Sequence, residues 1–146
     1  MDLVKIKKLD DNAVIPTYGT EYSAGADLYA LISDDLEIKP QETVIIPTGI
    51  AMEIPNGYVG LIYARSSLGT KKGLTPANKV GVIDSDYRGE IKVVLFNQSN
   101  KIQTITKNER IAQIIITPYI KVQFQEVDEL SNTIRGEGGF GSTNKK

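Results

Sequence analysis

Seven short runs rich in Val, Ile, Tyr and Phe, none longer than seven residues, most of them bounded by turn residues, direct this chain to β-structure. They read LVKI at 3–6, TVIIP at 43–47, IAMEI at 50–54, YVGLIY at 58–63, IKVVLF at 91–96, IAQIIIT at 111–117 and IKVQF at 120–124. Pro40, Pro55-Asn56-Gly57 and Gly89 bound many of them. So many short strands at close spacing predict an all-β sandwich or barrel. No segment keeps a helical apolar stripe beyond a turn or two. The best helix candidate is SSLGTKK at 66–72, which begins on N-cap-type serines and stops at Gly73. The 146 residues predict one domain, long enough to bury roughly 68–70% of its unfolded surface without staples. Composition changes only near Leu130, beyond which the chain is polar and rich in glycine. The expected division is a β core over 1–129 and a flexible tail over 130–146.

What the chain lacks narrows its chemistry. Cysteine and histidine are both absent. That excludes disulfides, thiolate or imidazole metal sites, cysteine nucleophiles and serine-histidine triads. Acid-base catalysis near neutral pH falls to carboxylates, lysine or tyrosine. A net charge of −1 and a pI near 5.5 give no basic footprint for nucleic acid. The opening MDLVKIKKLDDN has lysines but no apolar signal core, and no apolar run is of membrane-spanning length. The expectation is a soluble, cytoplasmic protein.

Five stretches hold residues suited to chemistry. ARSSLG at 64–69 follows an apolar strand and enters the helix candidate. It reads either as a helix start beside a solvated arginine, or as an anion site built from Arg65 and neighbouring hydroxyl and backbone donors. ANKVGVIDSDYRGE at 77–90 reads as a β-hairpin with a polar tip. Val82 and Ile83 deliver Asp84 and Asp86 to a strand end. Either the aspartates are turn chemistry, or one is a general base, ionised at pH 7 and able to deprotonate a water. Tyr87 is an ordinary strand aromatic or a flat face for a sugar or base. AGADLYA at 24–30 sets Asp27 among small residues, for a turn or for a metal-bound water. RIAQIIITP at 110–118 reads as a buried strand with one polar exception, Gln113, whose partner is protein or a bound phosphate.

The fifth stretch, RGEGGFGSTNKK at 135–146, packs four glycines into six positions. Composition alone makes it a loose tail. Yet Arg135, Ser142 and Thr143 are phosphate-binding types, glycines such as Gly141 let backbone wrap closely, and Phe140 can stack on a base.

Taken together and in this order, the five stretches resemble the motifs of the trimeric dUTP pyrophosphatases, the dUTPases, from Ala24 to Thr143. The resemblance implies a jelly-roll-like β-barrel of the β-clip type. It implies a homotrimer whose sites lie between subunits, with a C-terminal tail exchanged between neighbours. The implied reaction is Mg²⁺-dependent hydrolysis of dUTP to dUMP and pyrophosphate, which limits uracil entry into DNA and supplies dUMP for dTMP synthesis. Asp84 matches the general base that activates a water for attack on the α-phosphorus. Tyr87 matches the tyrosine under the deoxyribose, where a 2′-hydroxyl would collide. Asn78 matches the reader of uracil, with Val82 on the same substrate-binding stretch. Arg65, Ser66 and Gln113 match the phosphate contacts, Ser67 is counted with the substrate-binding residues beside them, and Asp27 matches the aspartate that reaches magnesium through water. Arg135, Phe140, Gly141, Ser142 and Thr143 match a lid that closes over bound nucleotide.

Two positions depart from the commonest pattern: Asn144 and Ser67 stand where glycine is frequent. The RSSL segment also resembles the related dCTP deaminases, which share the fold. Those tend to carry Asp-Pro-Gly-Phe where this chain has Asp84-Ser85-Asp86-Tyr87. A nucleotide-responsive regulator on the same trimer, with a protein partner, is the reading from another class, since some phage members of the family regulate.

Overall fold

The computed structural model describes residues 3–142. Among the described residues, twelve strands and one short helix pack around a single apolar core; the strand pattern's all-β class holds, and the architecture is the jelly-roll-like barrel that the resemblance implies. The strands are β1 (Lys5–Lys8), β2 (Thr17–Tyr18), β3 (Ala26–Tyr29), β4 (Leu36–Ile38), β5 (Thr43–Pro47) and β6 (Ile50–Glu53). They continue with β7 (Tyr58–Tyr63), β8 (Leu74–Pro76), β9 (Gly81–Ile83), β10 (Lys92–Asn97), β11 (Gln103–Ile105) and β12 (Arg110–Pro118). The helix α1 (Ser66–Lys71) lies between β7 and β8.

The spine is β12, paired on one side with β3 and on the other with β7 in a sheet ordered β2-β3-β12-β7-β9. Its backbone is thus paired along both edges, and its IAQIII run supplies apolar side chains to the core. Ile111, Ala112 and Ile114 are buried along it. Opposite lies the sheet β5-β10-β8, where Val93 and Leu95 of β10 face Ile46 of β5 and Leu74 of β8 in the same core. The pairs β1-β6 and β4-β11 complete the wall. All pairings are antiparallel.

One irregularity in β12 aims its polar side chains. The register with β3 slips between Arg110 and Ala112. Positions 110 and 113 would face opposite sides of an unbroken strand. The extra residue resets the alternation, so Arg110 and Gln113 line one cleft.

The structure corrects three local expectations. The run at 120–124 is not a strand: it pairs with no strand among the described residues, and Ile120 and Phe124 are exposed. The segment 77–90 does not close a two-stranded hairpin. β8 and β10 do pair, but β9 between them leaves to pair with β7, so the aspartates sit on an excursion between two sheets. Finally, α1 is capped by Arg65 in extended backbone conformation, with Ser66 and Ser67 inside the helix, and no side chain caps it. The helix ends at Lys71; Lys72 is its C-cap, with its N–H on Leu68 O, and Gly73 follows at φ +67.

Candidate active site

Strand pairing gathers the expected residues into two groups. The first surrounds an open cleft of about 360 Å³ at the C-terminal end of β7. Asp27, on β3, is buried there between two guanidiniums. Arg65 Nε donates to its Oδ1 at 2.7 Å and Arg110 Nη1 to its Oδ2 at 3.4 Å. Arg65 Nη1 also donates to Ser67 Oγ at 3.1 Å and to the Arg110 carbonyl at 3.4 Å, so its fork is fixed on three sides. Ser66 lines the cleft, and Gln113 donates to the Ala64 carbonyl at 2.8 Å. Gln113 thus has a protein partner for its amide N–H and presents the rest of the amide to the cleft. Gly25 is a necessity of this packing: a Cβ there would collide with Oε1 of Gln113. With two arginines against one aspartate, the cleft carries net positive charge suited to phosphate.

Arg110 is a site residue that sequence spacing does not reveal. Its odd separation from Gln113 hides it, because only the bulge turns both inward.

The second group lies beyond β9. Val82, Asp84 and Tyr87 line a cleft of about 310 Å³ together with Glu90 and Lys92. Asp84 opens a turn in which Tyr87 N–H donates to the Asp84 carbonyl at 3.1 Å. The Tyr87 ring is half-exposed, and its hydroxyl donates to the Glu90 carbonyl at 2.9 Å. It folds over Gly89, where a Cβ would sit 2.5 Å from the phenolic oxygen. Asp86 lines an adjoining cleft with Asn56, Tyr119 and Lys121, which Val82 and Asp84 also border; of the two aspartates, Asp84 alone shares a cleft with Tyr87. Asn78 is exposed in the turn after β8, its amide nitrogen 3.4 Å from where a Gly81 Cβ would lie.

The two groups do not meet within one chain. β9 runs antiparallel to β7 with Val82 opposite Leu61 and Ile83 opposite Gly60. Asp84 therefore lies beside Val59, six residues before Arg65, or about 20 Å along an extended chain.

The described tail residues join neither group. Arg135 Nε donates to Gly138 O at 2.8 Å, and Ser142 N–H to Gly139 O at 3.0 Å, so this stretch folds into local turns. Phe140 is fully exposed at φ +50, and Gly141 comes next at φ +89. Thr143 lies outside the described residues.

A divalent cation fits only indirectly. Among the described residues no group of three or more carboxylates converges. Asp27 has an arginine on each oxygen, yet each oxygen retains acceptor capacity for a water. That donor set suits a cation held mainly by a ligand's own oxygens, with waters between ion and protein.

The chain is similar to known proteins. The family model described as dUTPase matches residues 11–144. The deoxyuridine 5′-triphosphate nucleotidohydrolase of Hydrogenobaculum sp. is 51% identical over 141 residues, covering 97% of each chain. Among solved structures, a mutant of the Staphylococcus bacteriophage 80alpha dUTPase with dUpNHpp superposes at a TM-score of 0.86 with 29% identity, covering 98% of this chain and 99% of that one. A mutant dUTPase from phage phi11 of S. aureus, described as revealing the coordination of a structural Mg(II) ion, gives a TM-score of 0.77 at 25% identity, over 88% and 98% of the two chains.

Proposed function

The chain belongs to the dUTPase family, and from that premise we propose how its residues hydrolyse dUTP to dUMP and pyrophosphate. The observation that carries the reading is the separation of the two groups. A triphosphate is far shorter than the roughly 20 Å between Asp84 and Arg65 of one chain. A general base must lie within about 2.6–3.2 Å of the water it deprotonates, or one water further. Asp84 of one copy and Arg65 of another must therefore meet across an interface. Trimers with exchanged tails are typical of the family, and this separation supports the same assembly here, with dUTP bound between copies.

In that site each group has one task. Arg65, Ser66, Ser67 and Gln113 bind the phosphates, and Asp27 fixes the Arg65 fork while offering an oxygen to a water of the magnesium shell. When bound, magnesium neutralises charge on the phosphate oxygens. Val82 and Tyr87 shape the nucleoside cleft: the ring leaves no room for a 2′-hydroxyl. Asn78 reads uracil beside the Gly81 backbone. Pairing of a polar base edge lets a site reject a mismatched analogue by about 10⁴–10⁵. Asp84 takes the proton of a water whose oxygen bonds to the α-phosphorus, and the bond to the bridging oxygen breaks to release pyrophosphate. Arg135, Phe140, Gly141, Ser142 and Thr143 close over the nucleotide from the tail. Ordering them costs roughly 1–2 kcal/mol per residue, offset only by a ligand with many contacts. The domain division agrees with these tasks: core to 129, lid from 130. A cytoplasmic location agrees with the substrate; no helix among the described residues is long and apolar enough to cross a membrane.

The test is chromatography of products after incubation with Mg²⁺ and, separately, dUTP, dCTP, UTP and dTTP. Only dUTP is expected to react, giving dUMP and pyrophosphate. A uracil nucleotide from dCTP would move the protein to the deaminases; binding of dUTP without turnover would favour a regulator. Asp84→Asn is expected to keep nucleotide binding and lose about 10²–10⁴ in turnover. Near-normal turnover removes Asp84 as the base.

A further inference from the structure

Tyr87 is positioned by contacts that the reaction itself does not use. Its hydroxyl is held by the Glu90 carbonyl, so the ring can be no firmer than residue 90. The Glu90 side chain is tied down in turn: Glu90 Oε2 accepts the Gly49 N–H at 3.1 Å across 41 residues of sequence. Gly49 is a rigid anchor. Its φ is +70, and a Cβ there would meet Leu31 at 2.5 Å and Ala13 at 2.9 Å. The next residue is stitched to the same corner, with Ile91 N–H donating to Ile50 O at 2.8 Å and the buried Thr48 hydroxyl to the Ile91 carbonyl. The rest of the loop is held to other elements more weakly: Ser85 Oγ donates to Asn56 at 3.4 Å and Arg88 Nη2 to Glu53 at 3.5 Å, both exposed, while Arg88 Nη1 closes the loop on the Ser85 carbonyl at 2.7 Å.

Resting on the hydrolase reading above, we infer that Glu90 is a positioning residue for sugar discrimination, because its carboxylate on Gly49 N–H holds the carbonyl that fixes the Tyr87 hydroxyl. Steric rejection of a 2′-hydroxyl requires a ring that does not yield. Loosening its anchor admits the ribose without removing any group that touches the phosphates. The effect falls on selectivity first and on dUTP turnover second.

The test compares Glu90→Ala, Glu90→Asp and Glu90→Gln in the full chain by kcat and KM for dUTP and for UTP, with thermal unfolding alongside. Glutamine keeps an oxygen acceptor at the same reach, whereas aspartate keeps the charge and falls one methylene short. The Ala and Asp variants are expected to lose about tenfold or more of the dUTP over UTP preference, mainly by gain on UTP, while the Gln variant keeps it. An unchanged ratio in both Ala and Asp variants overturns the inference. So does an equal fall on both substrates, or a Gln variant as relaxed as the Ala variant. Should Glu90→Ala not fold, the Asp variant decides alone. A parent protein that leaves dUTP intact refutes the hydrolase reading and this inference with it; a parent that hydrolyses dUTP beside variants of unmoved ratio refutes this inference only.

Discussion

Replacing Arg65 with leucine strips Asp27 of its nearer partner and leaves the aspartate in place. The magnitude depends on burial. Removing one partner of a fully buried ion pair costs about 3–5 kcal/mol, whereas an exposed pair contributes about 0.2–1 kcal/mol. Side-chain exposure is 11% for Asp27 and 21% for Arg65, which sets this pair nearer the buried limit. Two features lower the cost. Arg110 remains 3.4 Å away, itself half-exposed, and the carboxylate faces a cleft that admits water. The bonds from Arg65 to Ser67 and to the Arg110 carbonyl are lost too, but those groups also face the cleft. The expected destabilisation is about 2 kcal/mol. For a chain of this size that is about 4–8 °C in Tm. Arg65→Lys keeps the charge but not the planar fork and is expected to fall between parent and leucine variant. The assay is urea unfolding monitored by fluorescence or circular dichroism, at fixed protein concentration because assembly adds to apparent stability. A midpoint shift equivalent to less than about 0.5 kcal/mol at unchanged slope would show an ordinary surface pair and refute the reasoning.

Three further outcomes are expected. Deleting Arg135–Lys146 should abolish most dUTP turnover and leave the unfolding midpoint of the core close to the parent's, since the described tail residues bond only locally; normal turnover would remove the lid. Asn97→Leu should cost about 3 kcal/mol or more, measured by denaturant unfolding, because the fully buried amide donates to Ile38 O and Lys101 O and accepts from Ser99 N–H and hydroxyl. The hydrogen bond and charge of Lys5 hold the Glu53 carboxyl below its ordinary 4.5, against a small opposing effect of burial and with help from Arg88. Its folded value being depressed, the contribution is present above the unfolded value and lost as pH falls through the folded one. In an NMR titration, Lys5→Ala should raise the Glu53 midpoint toward 4.5, and an unmoved midpoint would deny the pairing.

Local periodicity makes much of this fold legible. The runs at 43–47 and 58–63 are strands with those bounds, and 111–117 lies within the longer β12. Each places β-branched or aromatic residues on a half-buried pleat, a signal that needs no knowledge of the partner strand. The same signal misleads at 120–124, where the pattern is equally good but no strand among the described residues pairs with the run. Nor can it say that β9 leaves its neighbour β8 for β7. Arg110 is illegible for a different reason: one inserted residue reverses the facing of every position before it.

By itself, the sequence determined the all-β class, the absence of thiol and imidazole chemistry, and five ordered motifs that mark the family, because composition and short-range spacing suffice for each. Only the tertiary structure decided which side chains converge. Asp27 meets Arg65 across 38 residues and Arg110 across 83, and β7 holds Asp84 a strand's length from both. Such distances are set by strand order, register and a bulge, which are choices among hydrogen-bonded partners far apart in the chain and leave no periodic trace along it.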